Sequence, residues 1–170
     1  MDLKKFIVDV KDFPKAGVTF KDITPLLNDF QAFRFAIDEM VKVILQNEID
    51  VIVAPEARGF IFAAPLAYAA KKRLVLIRKP GKLPRPTHQT DYSLEYGSGE
   101  LQIHIDDLKP GDKVAIVDDV LATGGTTQGI IKLIESQKAD VKKIIFLADL
   151  KFLHKDDLFA EYNLTSLLDY

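Results

Sequence analysis

Short β-branched apolar runs alternate with stretches of helical period along most of this 170-residue chain. That alternation constrains the fold more than any other feature. Phe33, Ala36, Ile37, Met40, Val41, Ile44 and Leu45 recur at helical spacing, which predicts a helix over 31–47 with one buried stripe. Residues 50–54 (DVIVA) read as a buried strand, and Gly59 to Lys72, rich in alanine and large apolar residues, as a helix packed closely on a sheet. Strands are expected again at 74–77, 114–117 and 143–148. The 114–117 strand is entered through Lys-Pro-Gly-Asp (109–112), where proline fixes φ and glycine permits a positive φ. Ile130, Leu133, Ile134 and Gln137 continue a helix after Thr126. Strand, helix, strand in succession implies right-handed crossovers, hence an α/β fold: a parallel twisted sheet flanked by helices on both faces. Such sheets take ligands beyond the carboxyl ends of their strands, where these loops fall.

Composition removes several alternatives. The chain has no cysteine, so disulfides, thiolate metal sites and cysteine nucleophiles are excluded, and a cytoplasmic location is expected. A net charge of −2 argues against nucleic acid as a partner. No apolar run approaches the roughly 18 residues of a membrane span, and the opening MDLKKFIVDVKDF carries acids throughout, unlike a secretory leader. Without repeats or linkers, residues 1–170 read as one domain.

The chemistry concentrates in VAIVDDVLATGGTT (114–127). Asp118 and Asp119 are expected where strand becomes loop, and pleating should send their carboxylates in different directions. Each can accept hydrogen bonds from ribose hydroxyls or orient a divalent cation through water. Gly124 and Gly125 let the backbone approach an anion without an intervening Cβ. The N–H groups of Gly124 to Thr127 and the helix dipole then favour a terminal phosphate. GxxxxGK[ST] is absent, so this is not a Walker loop. Arg58 follows the strand at 50–54 and should share the rim of that loop. Arg78, Lys79 and Lys82 place three cations in five residues at the end of another strand. Such a cluster is usually a solvated loop, but here the strand ends converge on one crevice. Leu83 to Gly99, with two prolines and two glycines, reads as a long loop, and loops of that length inside a domain are disordered or functional. His88, His104 and His154 show no metal-ligand spacing.

VAIVDDVLATGGTT resembles the phosphoribosyl pyrophosphate (PRPP) signature of type I phosphoribosyltransferases. FPKAGVTFKDITPLL (13–27), EARGF (56–60), IRKPGKLP (77–84) and YSLEYG (92–97) are similar to blocks of the adenine phosphoribosyltransferase family, in order and over nearly the whole chain. The resemblance implies the type I phosphoribosyltransferase fold, with a hood from about 1–30 plus the C-terminal segment, a core over about 31–150, and a flexible lid loop. It implies Mg²⁺-dependent transfer of phosphoribose from PRPP to N9 of adenine, giving AMP and pyrophosphate. Asp118, Asp119, Ala122, Thr123, Gly124, Gly125 and Thr126 would then bind PRPP, with Arg58, Arg78, Lys79 and Lys82 on its pyrophosphate. Glu95, Arg58 and Lys79 would be catalytic, Glu95 as the acid/base at the purine. The hood would hold adenine through Phe20 and the backbone of Thr19 and Lys21, with Leu150 on the opposite face. Many relatives have arginine where this chain has Lys21. Thr87 to Thr90 belong to the lid and have no assigned role. The peptide before Arg58, Ala57–Arg58, would be the candidate for a cis bond. Mg²⁺ would be held mainly by PRPP, with water-mediated help from Asp118 and Asp119, and the assembly would be a homodimer.

Hypoxanthine, guanine, xanthine or orotate are the competing bases, and the 13–27 and LEYG blocks favour adenine. A PRPP-sensing transcription factor would need a DNA-binding extension, and a receiver domain would not need the glycine loop.

Overall fold

The computed structural model describes residues 1–94 and 97–170. An antiparallel pair, β1 (Val8–Lys11) and β2 (Thr19–Asp22), is followed by the short α1 (Thr24–Asn28) and the long α2 (Phe30–Leu45). Next come β3 (Val51–Pro55), α3 (Arg58–Ala70) and β4 (Arg73–Ile77). A second antiparallel pair, β5 (Thr87–Leu94) and β6 (Gly97–His104), leads into β7 (Lys113–Leu121), α4 (Gly125–Ser136), β8 (Asp140–Asp149) and β9 (Leu164–Asp169).

Five strands form one parallel sheet in the order β4-β3-β7-β8-β9. Its two faces are read from alternate residues. Ile52, Ala54, Ala115, Val117, Ile145 and Leu147 pack with Phe62, Ala63 and Leu66 of α3 and with the buried stripe of α2. Val51, Val53, Val114, Ile116, Ile144 and Phe146 face the other way, onto Ile130, Leu133 and Ile134 of α4. Each valine, leucine, isoleucine or phenylalanine among them, fully buried, contributes roughly 1.5–3 kcal/mol. α2 begins where the Asp29 carboxylate accepts the Ala32 N–H at 2.9 Å, and it buries Ala32, Ala36, Ile37, Met40 and Ile44 as its stripe requires.

Two expectations are corrected. β7 does not end before Asp118: its ladder with β8 continues through Asp118 opposite Phe146 to Leu121 opposite Asp149. Pairing with the neighbouring strand there overrides the weak strand preference of aspartate. The stretch read as a long loop runs from Thr87 as an antiparallel ribbon, and Thr87–Thr90 lie in its first strand. Leu101 and Ile103, two residues apart, are buried on the α4 side and anchor it. Arg78 and Gln102 exchange two backbone hydrogen bonds, of 3.0 and 2.8 Å, that fasten the ribbon to the end of β4. The C-terminal segment adds the edge strand β9 to the sheet. It meets the N-terminal hood at Tyr170, whose ring lies 3.9 Å from the Lys21 ammonium.

No helix among the described residues is long and apolar enough to cross a membrane.

Candidate active site

β3 and β7 are neighbours in the sheet, but their crossovers leave toward opposite faces, α3 to one side and α4 to the other. The loops at their carboxyl ends therefore diverge and open a crevice, the position at which open α/β sheets bind ligands. A cavity of about 330 Å³ lies there, walled by 55–58, Lys79, Leu101 and 118–127.

The floor is the 122–127 loop. Gly124 caps α4 with φ +83°, a left-handed conformation that favours glycine. A Cβ on Gly124 would stand 2.7 Å from Leu158 and 3.1 Å from Phe159, so the loop is backed closely by the segment joining β8 to β9. The Gln128 N–H bonds the Gly124 carbonyl at 2.9 Å. The amides of Gly125, Thr126 and Thr127 precede that first bond and have no acceptor within the helix, which makes the corner an anion seat.

The two acids do not part: both line the cavity, and their carboxyl groups interact. Asp118 is partly buried, its Oδ1 accepting the Asp119 N–H at 2.8 Å and lying 3.0 Å from where a Cβ on Gly59 would be. Burial, then the neighbouring Asp119 carboxylate, pushes the Asp118 carboxyl well above the usual carboxylate range. Asp119 is 2% exposed. Its Oδ2 sits 2.9 Å from Arg58 Nε but without hydrogen-bond alignment, leaving a buried acceptor unsatisfied beside the cavity. Unsatisfied buried acceptors are uncommon and suit a ligand donor such as a hydroxyl. The Arg58 guanidinium is 5.1 Å from the Phe20 ring centroid, linking this crevice to the hood.

Glu56 organises the basic side of the crevice, a role its place in EARGF did not disclose. Its carboxylate accepts from Arg78 Nε at 3.0 Å and from the Lys79 amide at 2.8 Å. Burial alone would raise this carboxyl, but the Lys79 and Arg78 hydrogen bonds outweigh it and hold it below the usual range. A carboxylate at one strand end opposite Arg-Lys at the next was the available signal. Gly59, Val120 and Leu121 also had no assigned role in the sequence. The first gives the Asp118 carboxyl room, and the others line the cavity.

Asp118, Asp119, Ala122, Thr123, Gly124, Gly125, Thr126, Arg58 and Lys79 are thus brought together around one cavity. Arg78 and Lys82 lie instead in a neighbouring depression along β4, where Arg78 also donates to the Lys82 carbonyl at 3.2 Å. Thr19, Phe20, Lys21 and Leu150 do not line the cavity. The buried Lys21 ammonium is 2.7 Å from Asp9, so its charge is spent within the hood. Leu150 is buried, its N–H on the Leu121 carbonyl at 2.9 Å. The cis peptide near Arg58 is one bond earlier than anticipated, at Glu56–Ala57, and Phe13–Pro14 is also cis. Glu95 lies outside the described residues.

A phosphoribosyl transferase domain model matches residues 21–168. The chain is 58% identical over 170 residues to the adenine phosphoribosyltransferase of Mycoplasma capricolum subsp. capricolum, covering 100% of both. It is 51% identical to that of Thermosipho melanesiensis, covering 100% of this chain and 97% of the relative. The crystal structure of adenine phosphoribosyltransferase from Thermoanaerobacter pseudethanolicus superposes with a TM-score of 0.95 at 47% identity, covering 99% of this chain and 98% of that one. The enzyme from Saccharomyces cerevisiae, complexed with adenine and an imino-altritol bisphosphate, superposes at 0.90 with 33% identity, covering 98% and 97%.

Proposed function

Since the chain belongs to the phosphoribosyl transferase family and, within it, to the adenine phosphoribosyltransferases, we propose that it salvages adenine by transferring 5-phosphoribose from PRPP to N9, giving AMP and pyrophosphate. One observation carries this reading: an anion-ready glycine loop and a buried acid with an unsatisfied oxygen share one cavity at the switch between β3 and β7.

The 5′-phosphate sits on the amides of Gly125 to Thr127, with the Thr123 and Thr126 hydroxyls beside it. Asp119 and Asp118 take the ribose hydroxyls, the unsatisfied Asp119 Oδ2 accepting one of them. Arg58 and Lys79 face the pyrophosphate and stabilise the charge that grows as the C1–oxygen bond breaks. Arg78 acts through Glu56, and Lys82 approaches the pyrophosphate from the far side of the same turn. Adenine lies between Phe20 and the Leu150 side of the hood, with the backbone of Thr19 and Lys21 reading its edge. N9 forms its bond to C1 as pyrophosphate departs, with inversion, and Glu95 takes the proton that the base releases. The β5–β6 ribbon acts as the lid that keeps water from the oxocarbenium-like centre.

Among the described residues no group of three or more His, Cys, Asp or Glu side chains could hold a metal alone. Two carboxylates beside a polyphosphate site fit Mg²⁺ carried by the substrate's own oxygens and water. Bound there, it would neutralise charge on the leaving pyrophosphate.

The protein is cytoplasmic and works as a homodimer. Ile61 and Tyr68, 37% and 88% exposed on α3, supply an apolar face for a second copy.

Mixing the protein with PRPP, Mg²⁺ and adenine, hypoxanthine, guanine, xanthine or orotate in turn, and following pyrophosphate release, tests the assignment. Release with adenine above all others is expected; release with another base, or none, overturns it. Sedimentation equilibrium of the native chain and of Tyr68→Asp tests the dimer, a monomeric native chain being the adverse result.

A further inference from the structure

The segment joining β8 to β9 presses on the back of the phosphate loop, and His154 fastens that segment to the sheet. The His154 Nε2 is 2.6 Å from Asp149 Oδ1 at the end of β8, and both side chains are buried, 6% and 3% exposed. The other ring nitrogen, Nδ1, is 2.9 Å from the Lys155 carbonyl. A neutral imidazole has one N–H and one lone pair, so facing two oxygen acceptors it can satisfy only one. The imidazolium donates to both. The same Lys155 carbonyl also accepts the Leu158 N–H at 3.1 Å, closing a tight turn. Beyond that turn, Leu158 and Phe159 stand against Gly124, leaving no room for even a methyl group.

We propose that His154 is a positioning residue for the phosphate loop, its imidazolium clamping the 154–159 turn to Asp149 so that Leu158 and Phe159 hold Gly124 in its anion-binding conformation. This rests on reading that loop as the seat of the 5′-phosphate. Charge on the ring is opposed by burial, but the Lys155 carbonyl and Asp149 outweigh that and raise its pKa above the ordinary histidine value. The other charged groups facing this depression are Asp156, which also favours the cation, and Lys151, whose ammonium is 2.7 Å from Asp169 of β9. A raised pKa means the clamp is fully present below the unfolded histidine value of about 6.5 and is lost as pH rises through the higher folded value.

The test uses the full chain. Nitrogen-edited NMR, with His154 assigned through His88 and His104 variants, should find both ring nitrogens predominantly protonated at about pH 6.5, the ordinary histidine value. A neutral ring there overturns the proposal, whatever the protein's activity. AMP titration at successive pH values should then show affinity falling with loss of the His154 proton, and KM for PRPP rising in the same window while KM for adenine holds. His154→Asn should bind AMP and PRPP roughly fivefold more weakly at low pH, without an inflection. His154→Lys, which keeps a cation beside Asp149, should restore affinity and remove the inflection. Native affinity in His154→Asn at every pH would overturn the proposal. If that variant does not fold, the native titration decides. Failure of the native chain to bind AMP at all would sink the reading of the loop instead, leaving the NMR result to stand on its own.

Discussion

At the scale of single residues, Asp118 and Asp119 are adjacent in sequence yet have opposite characters. Asp119 lies under Arg58 with one oxygen unsatisfied, so its charge is set up for a ligand rather than for folding. Asp119→Asn keeps the shape and removes the charge. It should lower kcat/KM for PRPP by roughly ten- to a hundredfold, the loss of a hydrogen bond to a charged group worth about 1.5–3 kcal/mol, while the melting temperature changes little. Steady-state kinetics beside a thermal melt check both halves. Asp118 behaves in the contrary way. Its raised pKa means the protonated form suits the fold, with stability fully present below about pH 3.9 and lost as pH rises through the folded value. Asp118→Asn should therefore melt above the ligand-free native protein at pH 7, by about 2–4 °C if the relief is near 1 kcal/mol. The gap should close as pH falls toward 3, and calorimetry across that range measures it.

At the scale of elements, Glu56 ties the end of β3 to the turn after β4, and Arg78 and Gln102 tie that turn to the ribbon. One carboxylate thus sets where Lys79 stands in the crevice. Glu56→Gln leaves the partly buried Arg78 without its counter-charge and should lower kcat by roughly tenfold or more, with a smaller change in KM for adenine. Rapid-quench turnover measures the first and steady-state kinetics the second. Legibility in sequence followed the same division. α2 was readable from its helical period, β3 and β4 from their short unbroken apolar runs, and α3 from its wealth of alanine and large apolar residues. The loop of β7–α4 was readable because glycine and acid chemistry is local. The reach of β7 past Asp118 was not, since it depends on pairing with β8, and the ribbon was hidden by prolines and glycines that resemble loop composition. Glu56 was missed for a related reason: its partners lie more than twenty residues away, and only the pairing of the two strand ends makes the signal count.

At the scale of the whole molecule, the sheet separates two apolar layers. One packs α2, α3 and residues of the N-terminal segment, such as Leu3 and Ile23; the other packs α4, the ribbon and Phe159. Trimming one methylene from each layer, with Ile44→Val and Ile134→Val, should cost about 0.5–1.5 kcal/mol apiece. The double variant should show their sum within about 0.5 kcal/mol by urea denaturation, since the two sites have no partner in common. A larger coupling would mean that the sheet transmits strain between them. The hood rests on the first layer and the phosphate loop on the second. Natural selection can accordingly revise the half of the protein that chooses a base while the half that grips the sugar phosphate drifts on its own schedule, and one ancestor can give rise to descendants with new tastes and an inherited handle.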